Sequence, residues 1–176
     1  IFTGDSIAHA VFLYGRDFQV RNNTFGPMDS CYDAVLGISN WGDAIVEGNL
    51  FQNIRTHDYE LIRFVRMDST AAVFRNNVLR NISASGEFAS TGLFVYDYLF
   101  APPGFCAEIE DNLFESVVSE AYPHCGKAVT LTDEAVISGN RFVNLLPDTL
   151  PSIALDPHYS AAAQMRYNQF EADDYA

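Results

Sequence analysis

The stretch Ile137-Ser-Gly-Asn140-Arg-Phe142 decides the fold, because five other copies of its pattern occur in the chain. Each copy has an apolar residue, two variable residues, an Asn, one further residue, and then Phe or Leu. The other copies are Val20-Arg-Asn-Asn23-Thr-Phe25, Val46-Glu-Gly-Asn49-Leu-Phe51, Phe74-Arg-Asn-Asn77-Val-Leu79, Ile109-Glu-Asp-Asn112-Leu-Phe114 and Met165-Arg-Tyr-Asn168-Gln-Phe170. Successive Asn residues lie 26, 28, 35, 28 and 28 positions apart, a period suited to one turn of a β-solenoid.

The aligned copies predict that successive coils stack in parallel. Two positions after the Asn, five copies have Phe and one has Leu, and three positions before it every copy is apolar. If each coil lies about 4.8 Å above the last, these positions become continuous apolar stacks in the interior. The Asn side chains then form a structural ladder in which each amide bonds to the next. The ladder residues are Asn23, Asn49, Asn77, Asn112, Asn140 and Asn168.

Positions just before the ladder Asn predict bends and charge pairing. Five copies have Asn, Gly or Asp immediately before it, residues that tolerate a left-handed backbone, and Tyr167 is expected to be the exception. One position earlier stand Arg21, Glu47, Arg75, Glu110, Ser138 and Arg166, so neighbouring coils are expected to place mostly opposite charges side by side.

A further strand is predicted upstream of each copy. The six segments are residues 10–14, 34–38, 61–66, 92–96, 128–131 and 152–155, and turn signals separate each from its Asn motif. Each coil is therefore expected to contain about three short strands and three bends.

The Asn-Asn-Thr-Phe and Gly-Asn-x-Phe-x-Asn patterns resemble the right-handed parallel β-helix repeat of the pectate-lyase-like superfamily, which includes polysaccharide lyases, epimerases, pectinases and tailspikes. The resemblance covers nearly the whole chain. It implies an all-β, right-handed parallel β-helix of about six coils. Residues 1–176 are expected to form a single segment of a longer solenoid. Residues 136–144 followed by 151–155 are similar to the second, non-catalytic β-helix of chondroitinase B-like alginate lyases.

The formal net charge of −13, with a single lysine at Lys127, limits the classes of partner. Nucleic acid and anionic membranes are disfavoured, because both require a basic patch. Polyanionic glycans are disfavoured too unless cations screen the repulsion. The chain contains no apolar run of 18 residues, the length that would predict a membrane span. The acidic composition fits a secreted protein in a saline or calcium-rich exterior.

Cysteines and sequons add to the prediction of an extracellular or cell-surface protein. Cys106 and Cys125 are expected to form a disulfide worth about 3 kcal/mol, which leaves Cys31 free or paired outside this segment. Two N-glycosylation sequons begin at Asn22 and Asn81, although both fall on repeat positions that favour Asn anyway. No zinc-ligand spacing occurs, so neither a metal nor another cofactor is expected, with calcium left open.

The segment Asp156-Pro-His158-Tyr159 resembles the Asp-Pro-His motif of mannuronan C5-epimerases. In those enzymes the His and a nearby Tyr exchange a proton at the sugar C5 while a cationic residue neutralises the carboxylate. An imidazole beside a carboxylate is suited to proton abstraction near neutral pH. The candidate catalytic residues are therefore His158, Tyr159 and Asp156. The alternative is an ordinary turn, because Asp-Pro commonly opens one and only one coil follows it.

Three functions follow from these patterns. The first is an extracellular scaffold or a glycan-associated, non-catalytic module, whose partners are a polysaccharide or other subunits of an extracellular assembly. The second is a segment of a polysaccharide lyase or C5-epimerase-like enzyme. The third is a filament or adhesin, because stackable ends can join subunits end to end or laterally. The aromatics Tyr96, Tyr98, Phe100 and Phe105 are expected to stack on sugars, contact a partner, or cover the apolar wall.

Overall fold

The structure is a computed structural model. It describes residues 1–7, 11–30, 35–40, 42–56, 63–68, 71–84, 91–96, 107–119, 127–131, 134–144, 153–155 and 162–172. Within these ranges the ordered elements are all β-strands, and they form three parallel sheets.

Each sheet takes every third strand of the chain. Sheet 1 has seven strands: β1 (Phe2–Ile7), β4 (Thr24–Ser30), β7 (Leu50–Thr56), β10 (Val78–Ala84), β13 (Leu113–Ser119), β16 (Arg141–Asn144) and β19 (Gln169–Ala172). Sheet 2 has six strands: β2 (Val11–Gly15), β5 (Leu36–Asn40), β8 (Arg63–Asp68), β11 (Thr91–Tyr96), β14 (Lys127–Leu131) and β17 (Ile153–Leu155). Sheet 3 has six strands: β3 (Phe18–Arg21), β6 (Asp43–Glu47), β9 (Ala71–Arg75), β12 (Ala107–Glu110), β15 (Glu134–Ser138) and β18 (Ala162–Arg166).

The register joins equivalent positions of the repeat. In sheet 1, Phe51 pairs with Leu79, Leu79 with Phe114, and Phe114 with Phe142. Every coil therefore contributes one strand to each sheet, and the predicted parallel β-solenoid with three strands per coil is confirmed. The upstream strands form sheet 2 and begin within two positions of their predicted starts. The handedness stays a prediction.

The apolar positions of the repeat form the core. The rings of Phe25 and Phe51 stack with centroids 4.6 Å apart, and those of Phe114 and Phe142 stack at 5.0 Å. All four side chains are buried, as is Leu79, which lies between the two pairs. The predicted Phe stack is confirmed.

The Asn ladder is confirmed along its predicted length. The backbone N–H of each ladder Asn from Asn23 to Asn140 donates to the Oδ1 of the next one, at 2.8–3.0 Å. From Asn49 to Asn168, each Nδ2 in turn donates to a carbonyl of the preceding coil, as Asn112 does to the Phe74 oxygen at 2.8 Å. Asn49, Asn77, Asn112 and Asn140 are buried, so these bonds satisfy groups that water cannot reach.

The residue before each ladder Asn has a left-handed backbone in all six copies, with φ between 53° and 66°. The prediction that Tyr167 is an exception is wrong, because its φ is 56°. Hydrogen bonds fix the chain on both sides of it. The Arg166 carbonyl accepts from the Gly139 N–H at 3.1 Å, and Asn168 Oδ1 accepts from the Asn140 N–H at 3.0 Å. The stack thus imposes the conformation on a residue type that does not favour it.

A second left-handed position lies inside the strands of sheet 1. Asn53, Asn81 and Ser116 have φ values of 53°, 52° and 53° within β7, β10 and β13. Such a residue interrupts the alternation of a strand, so Phe51 and Ile54 are both buried although they lie three positions apart. Each long strand of sheet 1 therefore bends around the core.

Candidate functional site

The repeated charges outside the core are paired with one another. Glu47 accepts from Arg21 on one neighbouring coil at 3.2 Å and from Arg75 on the other at 3.0 Å. On a later pair of coils the Ser138 hydroxyl donates to Glu110 at 3.4 Å. The predicted pairing of charges between coils is therefore confirmed for Arg21, Glu47 and Arg75. Partly exposed pairs of this kind contribute about 0–1 kcal/mol each, so they favour the register more than they stabilise the fold.

Polar contacts between coils recur on the outside of sheet 1. Arg80 donates to Gln52 Oε1 through Nη2 at 2.7 Å, and Arg141 makes two bonds to the Glu171 carboxylate, at 2.9 and 2.7 Å. The hydrogen bond from Arg141 lowers the pKa of Glu171 below its ordinary value, and the same bond raises the pKa of Arg141. Arg141 is the nearest basic residue that precedes the epimerase-like motif in sequence, and in the structure it is paired with a carboxylate.

The candidate catalytic residues Asp156, His158 and Tyr159 lie outside the described residues. Strand β17 ends at Leu155, immediately before this segment, and is the end strand of sheet 2 in the described part of the chain. It pairs with β14, whose first residue is Lys127. The candidate catalytic group therefore stays a prediction.

The three cysteines also lie outside the described ranges, as do Tyr98, Phe100 and Phe105. The Cys106–Cys125 disulfide and the fate of Cys31 accordingly stay predictions. Of the four aromatics predicted to stack on sugars, contact a partner or cover the apolar wall, the backbone of Tyr96 alone is described, at the end of β11.

Both sequon asparagines are exposed, and both have a left-handed backbone. The Asn81 Nδ2, the atom that would carry the glycan, donates to Asn53 Oδ1 at 3.2 Å. No described residue accepts a hydrogen bond from the Asn22 Nδ2. Glycosylation stays a prediction, and this difference favours Asn22 over Asn81.

Within the described ranges, no group of three or more His, Cys, Asp and Glu side chains is arranged to hold a metal ion. The same ranges contain no helix that is long and apolar enough to cross a membrane.

The outer face of sheet 2 carries two exposed aromatic side chains that the sequence analysis missed. Along β2 the alternate residues Val11 and Leu13 pack against the core, while Phe12 and Tyr14 are 55% and 65% exposed. Phe12 and Tyr14 lie upstream of the Asn motif, so the repeated pattern does not indicate their exposure. The available signal is an aromatic pair spaced by two, which occurs at Phe12 and Tyr14 and again at Phe94 and Tyr96.

A glycine allows the Phe12 ring to lie against the sheet. Phe12 pairs with Gly37 on the adjacent strand, and a Cβ added to Gly37 would lie 2.6 Å from Phe12 Cδ2. Real Cβ atoms do not approach so closely, so any larger residue at position 37 would displace the ring. The Phe12 ring therefore lies over Gly37 on the neighbouring strand.

No protein-family model matches this chain, and no match was found among the curated proteins or the solved structures.

Proposed function

We propose that this segment is a rigid extracellular β-helical scaffold, acting as a non-catalytic, glycan-associated module of a larger surface assembly. The observation that carries the proposal is that the repeated residues build the core and hold the coils together. From Asn49 to Asn140 the ladder residues are buried and hydrogen-bonded to one another, and the Phe rings from Phe25 to Phe142 are buried and stacked in the core.

The outer residues of the repeat support the same proposal. Arg21 and Arg75 both bond to Glu47 across coils, and Arg141 bonds to Glu171 on sheet 1. Charges that neutralise each other across coils reinforce the stack. A catalytic side chain instead faces the substrate and has a pKa suited to proton transfer.

The finer similarity to the pectate-lyase-like superfamily is part of this proposal. It rests on the Gly-Asn-x-Phe-x-Asn pattern at residues 139–144, whose Asn140 occupies the ladder and whose Phe142 occupies the stack. Scaffolds and enzymes share that pattern, so the fold by itself does not favour catalysis.

The second candidate is an enzyme segment that uses His158, Tyr159 and Asp156. One observation favours it: β17 ends at Leu155, so the motif begins at the residue after a strand of sheet 2. Residues that follow a strand end are well placed to project from a solenoid. Against it, the net charge of −13 repels polyuronates.

A turnover assay separates the two candidates. The chain is incubated with alginate, pectate and chondroitin sulfate, with and without calcium. Unsaturated products are followed by ultraviolet absorbance, and inversion at C5 is followed by proton NMR. We expect neither product. Turnover that His158→Ala abolishes, while the variant keeps the circular dichroism spectrum of the original chain, would replace the scaffold function with the enzyme.

A further inference from the structure

We propose that the outer face of sheet 2 binds a neutral polysaccharide, and that Phe12 and Tyr14 form the aromatic platform on which its sugar rings stack. The proposal deepens the proposed function and rests on it, because a glycan-associated module needs a surface that holds the glycan. It identifies that surface and the chemical class of the ligand.

Both rings of the platform are exposed. Phe12 and Tyr14 project from one side of β2, opposite to Val11 and Leu13, which pack against the core. The close approach of Phe12 to Gly37 keeps its ring low over the adjacent strand. A flat aromatic ring offers a pyranose the apolar surface that its C–H face requires, while the sugar hydroxyls stay in water.

The strand register places a second aromatic pair in line with the first along the solenoid axis. Phe12 pairs with Gly37, Gly37 with Arg66, and Arg66 with Phe94. In the parallel column, Tyr14 pairs with Ser39, Ser39 with Asp68, and Asp68 with Tyr96. An aromatic pair thus recurs at the same two register positions after three strand spacings, roughly 14 Å.

The net charge of the protein favours a neutral glycan as the ligand. The protein has a formal net charge of −13 and one lysine, so the long-range field opposes binding of an acidic glycan. Stacking on aromatic rings needs no charge on the sugar. These two facts together favour a neutral glycan over a polyuronate.

The test is affinity electrophoresis of the full chain in native gels that contain one polysaccharide each. Hydroxyethylcellulose, xyloglucan and amylose are the neutral probes, and alginate and polygalacturonate are the acidic ones. We expect at least one neutral probe, and neither acidic probe, to retard migration. Phe12→Ala and Tyr14→Ala should each weaken the binding about fivefold to tenfold.

Two further variants control for the position and the shape of the platform. Tyr167→Ala removes a more exposed aromatic ring from a corner outside sheet 2, and it should leave the dissociation constant unchanged. Gly37→Ala keeps every aromatic residue but displaces the Phe12 ring, and it should weaken binding as Phe12→Ala does. Thermal melts confirm that each variant is folded.

Three outcomes would overturn the proposal. The first is no retardation by any neutral probe, which would leave a protein partner as the occupant. The others are stronger binding of the acidic probes than of the neutral ones, and equal effects of Tyr167→Ala and Phe12→Ala on binding. None of them bears on the absence of turnover, which the polyuronate assay measures separately. The proposed function and this binding surface can therefore fail independently.

Discussion

Asn112 shows how one side chain joins three coils. Its Oδ1 accepts from the Asn77 backbone at 2.8 Å and from the Asn77 Nδ2 at 3.1 Å. Its Nδ2 donates to the Phe74 carbonyl and to Asn140 Oδ1, at 2.8 and 2.9 Å. Asn combines an acceptor and a two-proton donor on a short stem, which explains why the position repeats this residue.

Replacing Asn112 by Ala should destabilise the protein by about 3 kcal/mol or more, because the buried Asn77 N–H and Phe74 carbonyl lose their partners. Urea unfolding at a constant m-value measures the change. Asn23→Ala is the matched control at the first level of the ladder, where no described residue donates to the Asn23 Oδ1. Its cost should be less than half that of Asn112→Ala, and equal costs would argue against the ladder.

Tyr167 is the one bend residue whose side chain is poorly suited to the backbone that the stack imposes. Asn occupies the equivalent position at Asn22 and Asn76, and Tyr167 is 91% exposed, so its ring contributes little packing. Tyr167→Asn should therefore stabilise the protein by about 0.5–1 kcal/mol. Tyr167→Phe retains the unfavourable conformation and should leave the melting temperature unchanged. A loss of stability in Tyr167→Asn would contradict this account of the bend.

Strands in sheet 1 are held together by aromatic stacking in the core and by polar pairs outside it. Phe114 is buried between the rings of Phe74 and Phe142, at centroid distances of 6.3 and 5.0 Å. Phe170 stacks on Phe142 at 4.7 Å but remains 48% exposed. Two residues at the same repeat position thus differ in burial, which gives a matched pair of substitutions.

Phe114→Ala should cost about 3–5 kcal/mol, because coils fixed by their hydrogen bonds cannot close the cavity. Phe170→Ala removes a ring that water already reaches, and less than half of that cost is expected. Chemical unfolding of the two variants in parallel makes the comparison. A cost below about 1 kcal/mol for Phe114→Ala would show that this ring is not part of the core.

The pair formed by Arg141 on β16 and Glu171 on β19 predicts a pH dependence. Because the pKa of Glu171 is lowered in the folded chain, the pair contributes stability above the ordinary pKa of the carboxyl group. That contribution is lost as the pH falls through the lowered pKa. Glu171→Gln should melt slightly earlier than the original chain at pH 7, and the difference should vanish in acid or at high salt. A difference that grows in acid would contradict the assignment.

The parts of the whole molecule that repeat are the parts that the sequence predicts. A short pattern at a nearly constant period requires equivalent neighbours, so the Asn ladder, the Phe stack and the Arg21–Glu47–Arg75 pairs follow from alignment alone. Residue preference alone predicts that Tyr167 lacks the left-handed backbone. The hydrogen bonds on either side of it impose that conformation. In a solenoid the adjacent coil determines the backbone more strongly than local preference does.

The candidate functional residues were harder to predict for a related reason. Phe12 and Tyr14 belong to strands outside the Asn motif, and their exposure depends on which face of β2 packs against the core. Asp156, His158 and Tyr159 occur once in the chain, so no repeated partner indicates their surroundings. A repeat predicts what is equivalent between coils, whereas function depends on residues that differ between them.

Hydrogen exchange tests the central claim, that the repeated Asn residues form a buried, continuous ladder. The backbone amides of Asn49, Asn77 and Asn112 each donate to the next Oδ1 inside the stack, so their protons should exchange only through global unfolding. The backbone N–H of Asn168, unlike its side-chain Nδ2, has no acceptor among the described residues and should exchange within the dead time of an NMR experiment. Slow exchange at the first three residues with fast exchange at Asn168 is the predicted result, and rapid exchange at Asn77 and Asn112 would contradict the account.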